Sequence, residues 1–163
     1  MNLIKKAQFA KNSLRNLIDS HFFSNTGGML TYKGIRYFHC ESNIMYIIEQ
    51  ELEKLPNGEG TLFEACFEFG QQLQQQYGGK DFRRFIGDYF PALGWGDIFV
   101  STKNRIEVVS IYYPWTPFSS DSKYTIFRGV LSGFISSCLG KRIELKKYET
   151  SLTDMLTVKL YEL

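Results

Sequence analysis

The sequence predicts an α+β domain, in which an antiparallel sheet of about four strands packs against helices. Apolar residues recur at helical spacing up to about residue 90, and from about residue 96 segments with the two-residue period of β-strands lie on either side of one further helix. The chain has 163 residues, of which 44% are hydrophobic and 22% charged, a balance typical of a globular domain. We therefore expect one domain over residues 1–163, with helices over about 1–90 and the sheet and a long helix over about 91–163.

Four helices are predicted in the first part. Their approximate ranges are 3–18, Ser42–Leu55, from Thr61 to the glycine pair Gly78-Gly79, and Phe82–Phe90. Thr61 and Glu64 have the spacing of a capping box, which predicts that the third helix starts at Thr61. A short extended piece, Met29–Phe38, lies between the first two helices.

Two of these helices have a clear apolar face. In the second helix it consists of Ile44, Ile47, Ile48, Leu52 and Leu55. In the third helix the expected buried stripe consists of Leu62, Ala65, Cys66, Phe69 and Leu73.

Two hairpins and a long helix make up the rest of the chain. In order, the predicted elements are strands Asp97–Thr102 and Arg105–Tyr113, a helix over about Ser122–Leu139 that ends at Gly140, and strands around Ile143–Tyr148 and Leu156–Leu160. Both faces of the strand Arg105–Tyr113 are apolar, so we expect that strand at the centre of the sheet, covered on both sides. Leu156, Val158 and Leu160 alternate with polar residues, which predicts one dry face for the last hairpin.

Composition argues against several classes of function. Nineteen Lys and Arg against seventeen Asp and Glu give a net charge of +2, too mild to indicate nucleic-acid binding. No run approaches the ~18 apolar residues that a membrane span requires. Cys40, Cys66 and Cys138 are odd in number, widely spaced and without a CxxC pair, which argues against a disulfide framework and a zinc ribbon. We therefore expect a soluble cytoplasmic protein with no nucleic-acid partner.

No motif indicates a catalytic residue. The two histidines, His21 and His39, belong to no HExxH pattern, and no serine lies in a GxSxG motif. The glycines around Trp95 lack the spacing of a dinucleotide fingerprint. The segment Gly58–Glu64 opens a helix that could bind an anion, but its two glutamates would repel phosphate.

The aromatic content is unusually high. Fourteen Phe, ten Tyr and two Trp make up 16% of the chain, enough for a large apolar pocket as well as a large core. The rings that could wall such a pocket are Tyr46, Phe63, Phe67, Trp95, Phe99, Tyr112, Trp115, Phe127 and Phe134. Taken singly, an aromatic residue of this kind more often belongs to a plain core. Cys66 is either a small buried hydrophobic residue or a point of covalent attachment.

Gly129 and Gly133 lie on one face of the predicted long helix. A glycine costs about 1 kcal/mol relative to alanine inside a helix, so the pair needs a reason. One reason is close packing against the sheet or against a helix of another subunit, and the other is room for a ligand between helix and sheet. If the glycines open a cavity, Gly133→Leu should fill it and abolish ligand uptake; if they serve packing, it should cost on the order of 1–3 kcal/mol.

The C-terminal third contains a helix with two glycines four residues apart, a glycine stop, a strand, a turn with Asp and a final strand. These features are Gly129, Gly133, Gly140, the strand around Ile143–Tyr148, Asp154 and the strand Leu156–Leu160. In this order they resemble the 4-vinyl reductase domain family, whose relatives include small subunits of the TRAPP vesicle-tethering complex and aromatic-sensing domains of bacterial activators. Upstream, Leu62–Gly70 and Ala92–Phe99 are similar to the family's glycine-ended helix and to the entry into its first hairpin.

The metal and acyl groups of some family members are not expected here. Metal-binding members carry cysteines and a glutamate in the last hairpin and a cysteine just before the long-helix glycines. Here neither Glu149–Leu160 nor Tyr124–Arg128 contains a cysteine. The acylated cysteine of some TRAPP subunits falls near the end of the third helix, where Tyr77–Phe82 has none. We expect no metal site and no structural zinc, because Glu149 alone cannot hold one.

The resemblance implies a helix-walled apolar cavity over a small sheet. We expect non-enzymatic binding of a small hydrophobic or aromatic ligand, a tetrapyrrole or bilin among the candidates, in a sensor, carrier or photosynthetic assembly role. One alternative is a tetrapyrrole-processing enzyme, which no acid–base pair or redox motif supports; another is a TRAPP-like scaffold without a ligand. The expected ligand-binding residues are Tyr46, Phe63, Cys66, Phe67, Trp95, Phe99, Tyr112, Phe127, Gly129, Gly133 and Phe134.

The resemblance also implies an oligomeric state. The family pairs through helices, so we expect a homodimer. The first two predicted helices, about 3–18 and Ser42–Leu55, are the candidates for its interface.

Overall fold

The structure is a computed structural model, and the residues that it describes form seven strands and four helices. The described residues are 24–26, 29–32, 35–37, 42–77, 81–103, 106–112, 114, 122–151 and 157–162. The strands are β1 (Ser24–Thr26), β2 (Met29–Tyr32), β3 (Ile35–Tyr37), β4 (Asp97–Lys103), β5 (Ile106–Tyr112), β6 (Leu145–Ser151) and β7 (Thr157–Glu162). The helices are α1 (Ser42–Glu53), α2 (Gly58–Tyr77), α3 (Phe82–Ala92) and α4 (Thr125–Leu139).

The predicted α+β fold and four-stranded antiparallel sheet are confirmed. Its strands lie in the order β4-β5-β7-β6, so the first hairpin pairs with the last through β5 and β7. On the central strand β5, Val108 and Val109 point to opposite faces and both are buried, as the apolar pattern predicts. On β7, Val158 and Leu160 are fully buried and supply the expected dry face.

A second, smaller sheet precedes the helices. Its three antiparallel strands lie in the order β1-β2-β3, and the predicted extended piece Met29–Phe38 supplies two of them. The predicted helix over 3–18, both histidines, Cys40 and Trp115 lie outside the described residues.

Helix α4 connects the sheet to the other helices. It packs along α2 and is tied to the start of β6 by two serine hydroxyls. Ser132 Oγ accepts the backbone N–H of Leu145 at 2.8 Å, and Ser136 Oγ accepts that of Ile143 at 2.7 Å. These bonds satisfy backbone groups that would otherwise be buried without partners. Gly140 adopts a positive φ of 66° and ends the helix as predicted.

The predicted start of α2 is wrong. The helix begins at Gly58, three residues before Thr61, because Asn57 adopts a left-handed φ of 57° and turns the chain directly out of α1. The Thr61 hydroxyl donates to the backbone oxygen of Asn57, and Glu64 pairs with Arg142 rather than closing a capping box.

The predicted buried stripe of α2 is also partly wrong. Phe69 is 50% exposed and Ala65 is exposed, whereas Phe63, Phe67 and Gly70 are buried. The physical reason is that Gly70 lets the α2 backbone lie directly against α4, which selects the helix face that contains the glycine.

None of the helices in the described part of the chain is long and apolar enough to cross a membrane.

Candidate functional site

Glycines bring α2 and α4 into backbone contact. A Cβ at Gly133 would lie 1.9 Å from the carbonyl oxygen of Phe67, and one at Gly70 would lie 2.1 Å from that of Val130. A Cβ at Gly129 would lie 2.5 Å from the Cβ of Cys66. No ligand fits in this contact, so Gly129 and Gly133 serve close packing here rather than a cavity. The packing partner differs from the prediction: it is helix α2 of the same chain, and not the sheet or a helix of another subunit.

Phe63 and Phe67 lie beside the α2–α4 contact, with ring centroids 6.2 Å apart. The guanidinium of Arg128 lies 5.5 Å from the centroid of the Phe63 ring, and that of Arg142 lies 4.4 Å from the Phe67 ring. Each phenylalanine ring therefore makes a cation–π contact with an arginine.

Trp95, Phe127 and Phe134 belong to a different group, which we call the aromatic cluster. Its members are Tyr77, Phe85, Tyr89, Phe90, Trp95, Tyr124, Phe127 and Phe134. Phe85 stacks on Phe134 with 5.3 Å between centroids, and Trp95 meets Phe127 edge to face at 5.0 Å. The chain of rings runs from the end of α2 through α3 to Tyr124, at the start of α4.

Phe99 and Tyr112 lie on the opposite face of the sheet. Ile98 points into the core and is 1% exposed, while its neighbour Phe99 is 39% exposed. The rings of Phe99 and Tyr112 contact each other at 5.6 Å. The expectation that all the predicted ligand-binding residues wall one pocket is therefore wrong, because strand alternation turns these two away from Trp95.

Glu49, which was not among the predicted site residues, carries a fully buried carboxyl. Its side chain is 0% exposed, and its Oε1 accepts the backbone N–H of Ile126 at 2.8 Å. Its Oε2 is buried and has no hydrogen-bond partner among the residues that the structure describes. Burial raises the pKa of this carboxyl from 4.5 to about 7, against the opposing effect of the Ile126 N–H.

The start of α4 explains why Glu49 is held there. The first N–H groups of a helix lack partners within the helix and carry a partial positive charge. The N–H groups of Thr125 and Ile126 both stabilise the Glu49 carboxylate, and the Thr125 hydroxyl donates to Glu53, one turn further along α1. The sequence contained one indication: Glu49 and Glu53 recur at helical spacing with Tyr46, on a side of α1 away from most of its isoleucines.

The charge of the Glu49 carboxyl acts on two nearby side chains, Tyr124 and Cys66. Tyr124 is 0% exposed, and burial followed by the charge of Glu49 raises the pKa of its phenol to about 12. Burial and then Glu49 also raise the pKa of the Cys66 thiol to about 11. The nearby Tyr46 also raises the pKa of the Tyr124 phenol. We call Tyr46, Glu49, Cys66 and Tyr124 the Glu49 junction.

Two properties of the Glu49 junction bear on its chemistry. Tyr124 has a positive φ of 53°, an uncommon conformation for a bulky residue that concentrates at functional sites. The protonated thiol of Cys66 is a poor nucleophile, which favours a small buried hydrophobic residue over a point of covalent attachment.

An open groove of about 1000 Å³ lies next to the Glu49 junction. Glu53 and Phe63 line it, and Glu59 pairs there with Lys123 at 2.8 Å and with Arg128 at 3.0 Å. The hydrogen bond from Lys123, with that from Arg128, holds the pKa of the Glu59 carboxyl below its usual value. The groove therefore reaches the turn of α1 that follows Glu49.

Metal ligands do not converge in the described residues, where no group of three or more His, Cys, Asp and Glu could hold an ion. The absence of zinc stays a prediction, which elemental analysis of protein purified without added metal would test.

The fold and the Glu49 junction define the class of this protein: an α+β domain whose helices pack on a four-stranded antiparallel sheet and contain an aromatic cluster next to the buried carboxyl of Glu49. Among solved structures, the phenol-responsive sensory domain of the transcription activator PoxR, solved with phenol, is similar to 96% of this chain and 90% of its own, with a TM-score of 0.66 and 14% identity. A vinyl-4-reductase family protein from Methanocaldococcus jannaschii is similar over 74% of this chain and 76% of its own, with a TM-score of 0.52 and 15% identity. The resemblance that the C-terminal third predicts is confirmed at the level of fold. No family model matches the sequence, and no curated protein matches it.

Proposed function

We propose that this protein binds a small aromatic molecule reversibly and acts as a sensor or carrier rather than as an enzyme. The observation that carries the proposal is the Glu49 junction at the end of the aromatic cluster. One oxygen of its fully buried carboxyl has no hydrogen-bond partner in the described part of the chain, and the charge of Glu49 acts on Tyr124. Ligand sites combine apolar walls with a few polar groups that fix orientation. The phenol-responsive PoxR domain, which has the same fold, supports a ligand of this kind.

The aromatic cluster favours a ligand with a single ring rather than a tetrapyrrole or bilin. Its neighbouring ring centroids are 5.0 to 6.5 Å apart, so the described rings already pack on one another. A visible absorption band in the purified protein would indicate a pigment instead, and conversion of that pigment would indicate an enzyme.

Tryptophan fluorescence tests the proposal directly. The chain has two tryptophans, so Trp115→Phe leaves Trp95 as the single reporter, 5.0 Å from Phe127 in the aromatic cluster. Titration with phenol or toluene should change its emission in a saturable way. A linear response to every small aromatic compound would contradict the proposal.

A matched pair of variants locates the binding. Phe127→Leu shortens a buried ring of the aromatic cluster and should weaken binding by up to about tenfold. Phe99→Leu changes a ring of the same size on the opposite face of the sheet and should leave binding unchanged. Equal effects of the two variants would mean that the aromatic cluster is not the site.

We also propose a cytoplasmic homodimer that pairs through α1. Ile44, Ile47 and Ile48 are 50%, 57% and 44% exposed, an apolar face of the kind that interfaces cover, and the free Cys66 and Cys138 suit a reducing compartment. Light scattering at a concentration on the order of tens of micromolar should show a dimer.

Charge placed on α1 should separate the copies. Ile47→Lys should give a monomer, whereas Gln72→Lys adds the same charge to an exposed position of α2 and should not. A monomeric wild type would contradict the dimer and leave the ligand proposal untouched.

A further inference from the structure

The two oxygens of the Glu49 carboxyl have different surroundings. Oε1 accepts the N–H of Ile126, while Oε2 is buried with no hydrogen-bond partner in the described part of the chain. A buried polar atom without a partner is costly, and more so when it carries charge. Oε2 is therefore an acceptor that a bound molecule can satisfy.

The groups that face Glu49 increase its tendency to accept a hydrogen bond. Glu53 on the same helix repels its charge, and the thiol of Cys66 and the phenol of Tyr124 are neutral below their own raised pKa values. Arg128 attracts Glu49, but its guanidinium donates to Glu59 at 3.0 Å and to the backbone oxygen of Leu145 at 3.2 Å. The compensation for Glu49 thus comes chiefly from the start of α4.

We propose that Glu49 selects the ligand by its head group: Oε2 accepts a hydrogen bond from a hydroxyl or a protonated amine carried by a small aromatic ring. This inference rests on the proposed function, since it assumes that an aromatic molecule binds at the Glu49 junction. The ring extends the aromatic cluster beyond Tyr124, while Oε1 keeps its bond to Ile126.

Protonation of Glu49 should change this selectivity. The carboxyl has a pKa of about 7, so above that pH it accepts through Oε2, and below it the Oε2 can carry a proton and donate. The preference for donor head groups should therefore shrink as the pH falls through about 7.

The test is a panel of four compounds titrated against the Trp115→Phe protein at about pH 8.5, where Glu49 is ionised. Phenol and benzylamine donate a hydrogen bond, anisole is a methylated phenol that cannot, and acetophenone only accepts. A charged acceptor should favour phenol over anisole by about 10- to 100-fold. The order of phenol and benzylamine then identifies the head group as neutral or cationic.

Glu49→Gln is the decisive variant. Its amide oxygen can still accept from Ile126, while its NH2 group lies where Oε2 was, so acetophenone should now bind more tightly than phenol. Glu51→Gln makes the same change at an exposed position of the same helix and should keep the wild-type order. The wild-type order at about pH 5.5, where the phenol preference should be smaller, gives the same information without a mutation.

Two results would overturn the inference while the proposed function stands. One is equal binding of phenol and anisole to the wild type at about pH 8.5, and the other is an unchanged phenol preference in Glu49→Gln. If no compound of the panel binds, both the inference and the proposed function are wrong.

Discussion

The α2–α4 contact and the Glu49 junction lie side by side on α4 and are built in opposite ways. In the contact, Gly70, Gly129 and Gly133 remove side chains so that two backbones meet without a gap. In the Glu49 junction, a buried carboxyl lies at a helix start, and one of its oxygens has no hydrogen-bond partner among the described residues. The difference shows how a rigid helix pair can support a neighbouring site that is left incomplete, as ligand binding requires.

The largest expected effect tests the close packing of the α2–α4 contact. Gly133→Ala should lower the free energy of unfolding by about 3 kcal/mol or more, because its Cβ would overlap the carbonyl oxygen of Phe67 and the backbones must separate. Urea unfolding measures the loss.

Gly87→Ala on α3 is the matched control. There the nearest atom to a new Cβ is the backbone oxygen of Ile98 at 3.4 Å. The gain in helix propensity should therefore stabilise the protein by up to about 1 kcal/mol. Similar losses in Gly87→Ala and Gly133→Ala would show that the α2–α4 contact is not uniquely tight.

The next largest effect tests the burial of the carboxyl in the Glu49 junction. Because the pKa of Glu49 is higher in the folded state than in the unfolded state, the folded state binds the proton more tightly. This proton stabilises the folded protein fully below pH 4.5, and the stabilisation disappears as the pH rises through about 7. The wild type should lose about 3 kcal/mol over that interval relative to Glu49→Gln, which does not titrate. Denaturant unfolding of both proteins across the pH range measures the difference.

One result would contradict the raised pKa of Glu49. Parallel stability curves for the wild type and Glu49→Gln would mean that Glu49 is solvated and that the Glu49 junction is not a desolvated site. Subtracting one curve from the other removes the contributions of Asp97, Glu59 and Glu162, whose pKa values are also displaced.

The smallest effect concerns the groove beside the Glu49 junction. Glu59→Gln removes the ion pairs with Lys123 and Arg128, which are partly exposed and screened by water. We expect a loss of less than about 1 kcal/mol that shrinks further in high salt. A larger loss, unaffected by salt, would mean that the groove is as rigid as the α2–α4 contact.

Local patterns predicted much of the fold but little of the candidate site. Alternation at Val158 and Leu160 predicted the last hairpin, and the doubly apolar strand around Val108 was correctly expected at the centre of the sheet. For Gly129 and Gly133 the sequence indicated a special role but did not decide between close packing and a cavity. The deciding atom is the carbonyl oxygen of Phe67, which meets Gly133 from 66 residues away in sequence.

The sequence by itself determined which segments become helices and strands, because those choices depend on the period of apolar residues along a few turns or pleats. Only the tertiary structure decided which faces meet. It turned Phe99 away from Trp95, and it carried Glu49 to the start of α4, where free N–H groups compensate a buried charge. Those outcomes depend on contacts between distant segments. The sequence around a helical glutamate is the same whether its carboxylate is solvated by water or binds the N–H groups at the start of another helix.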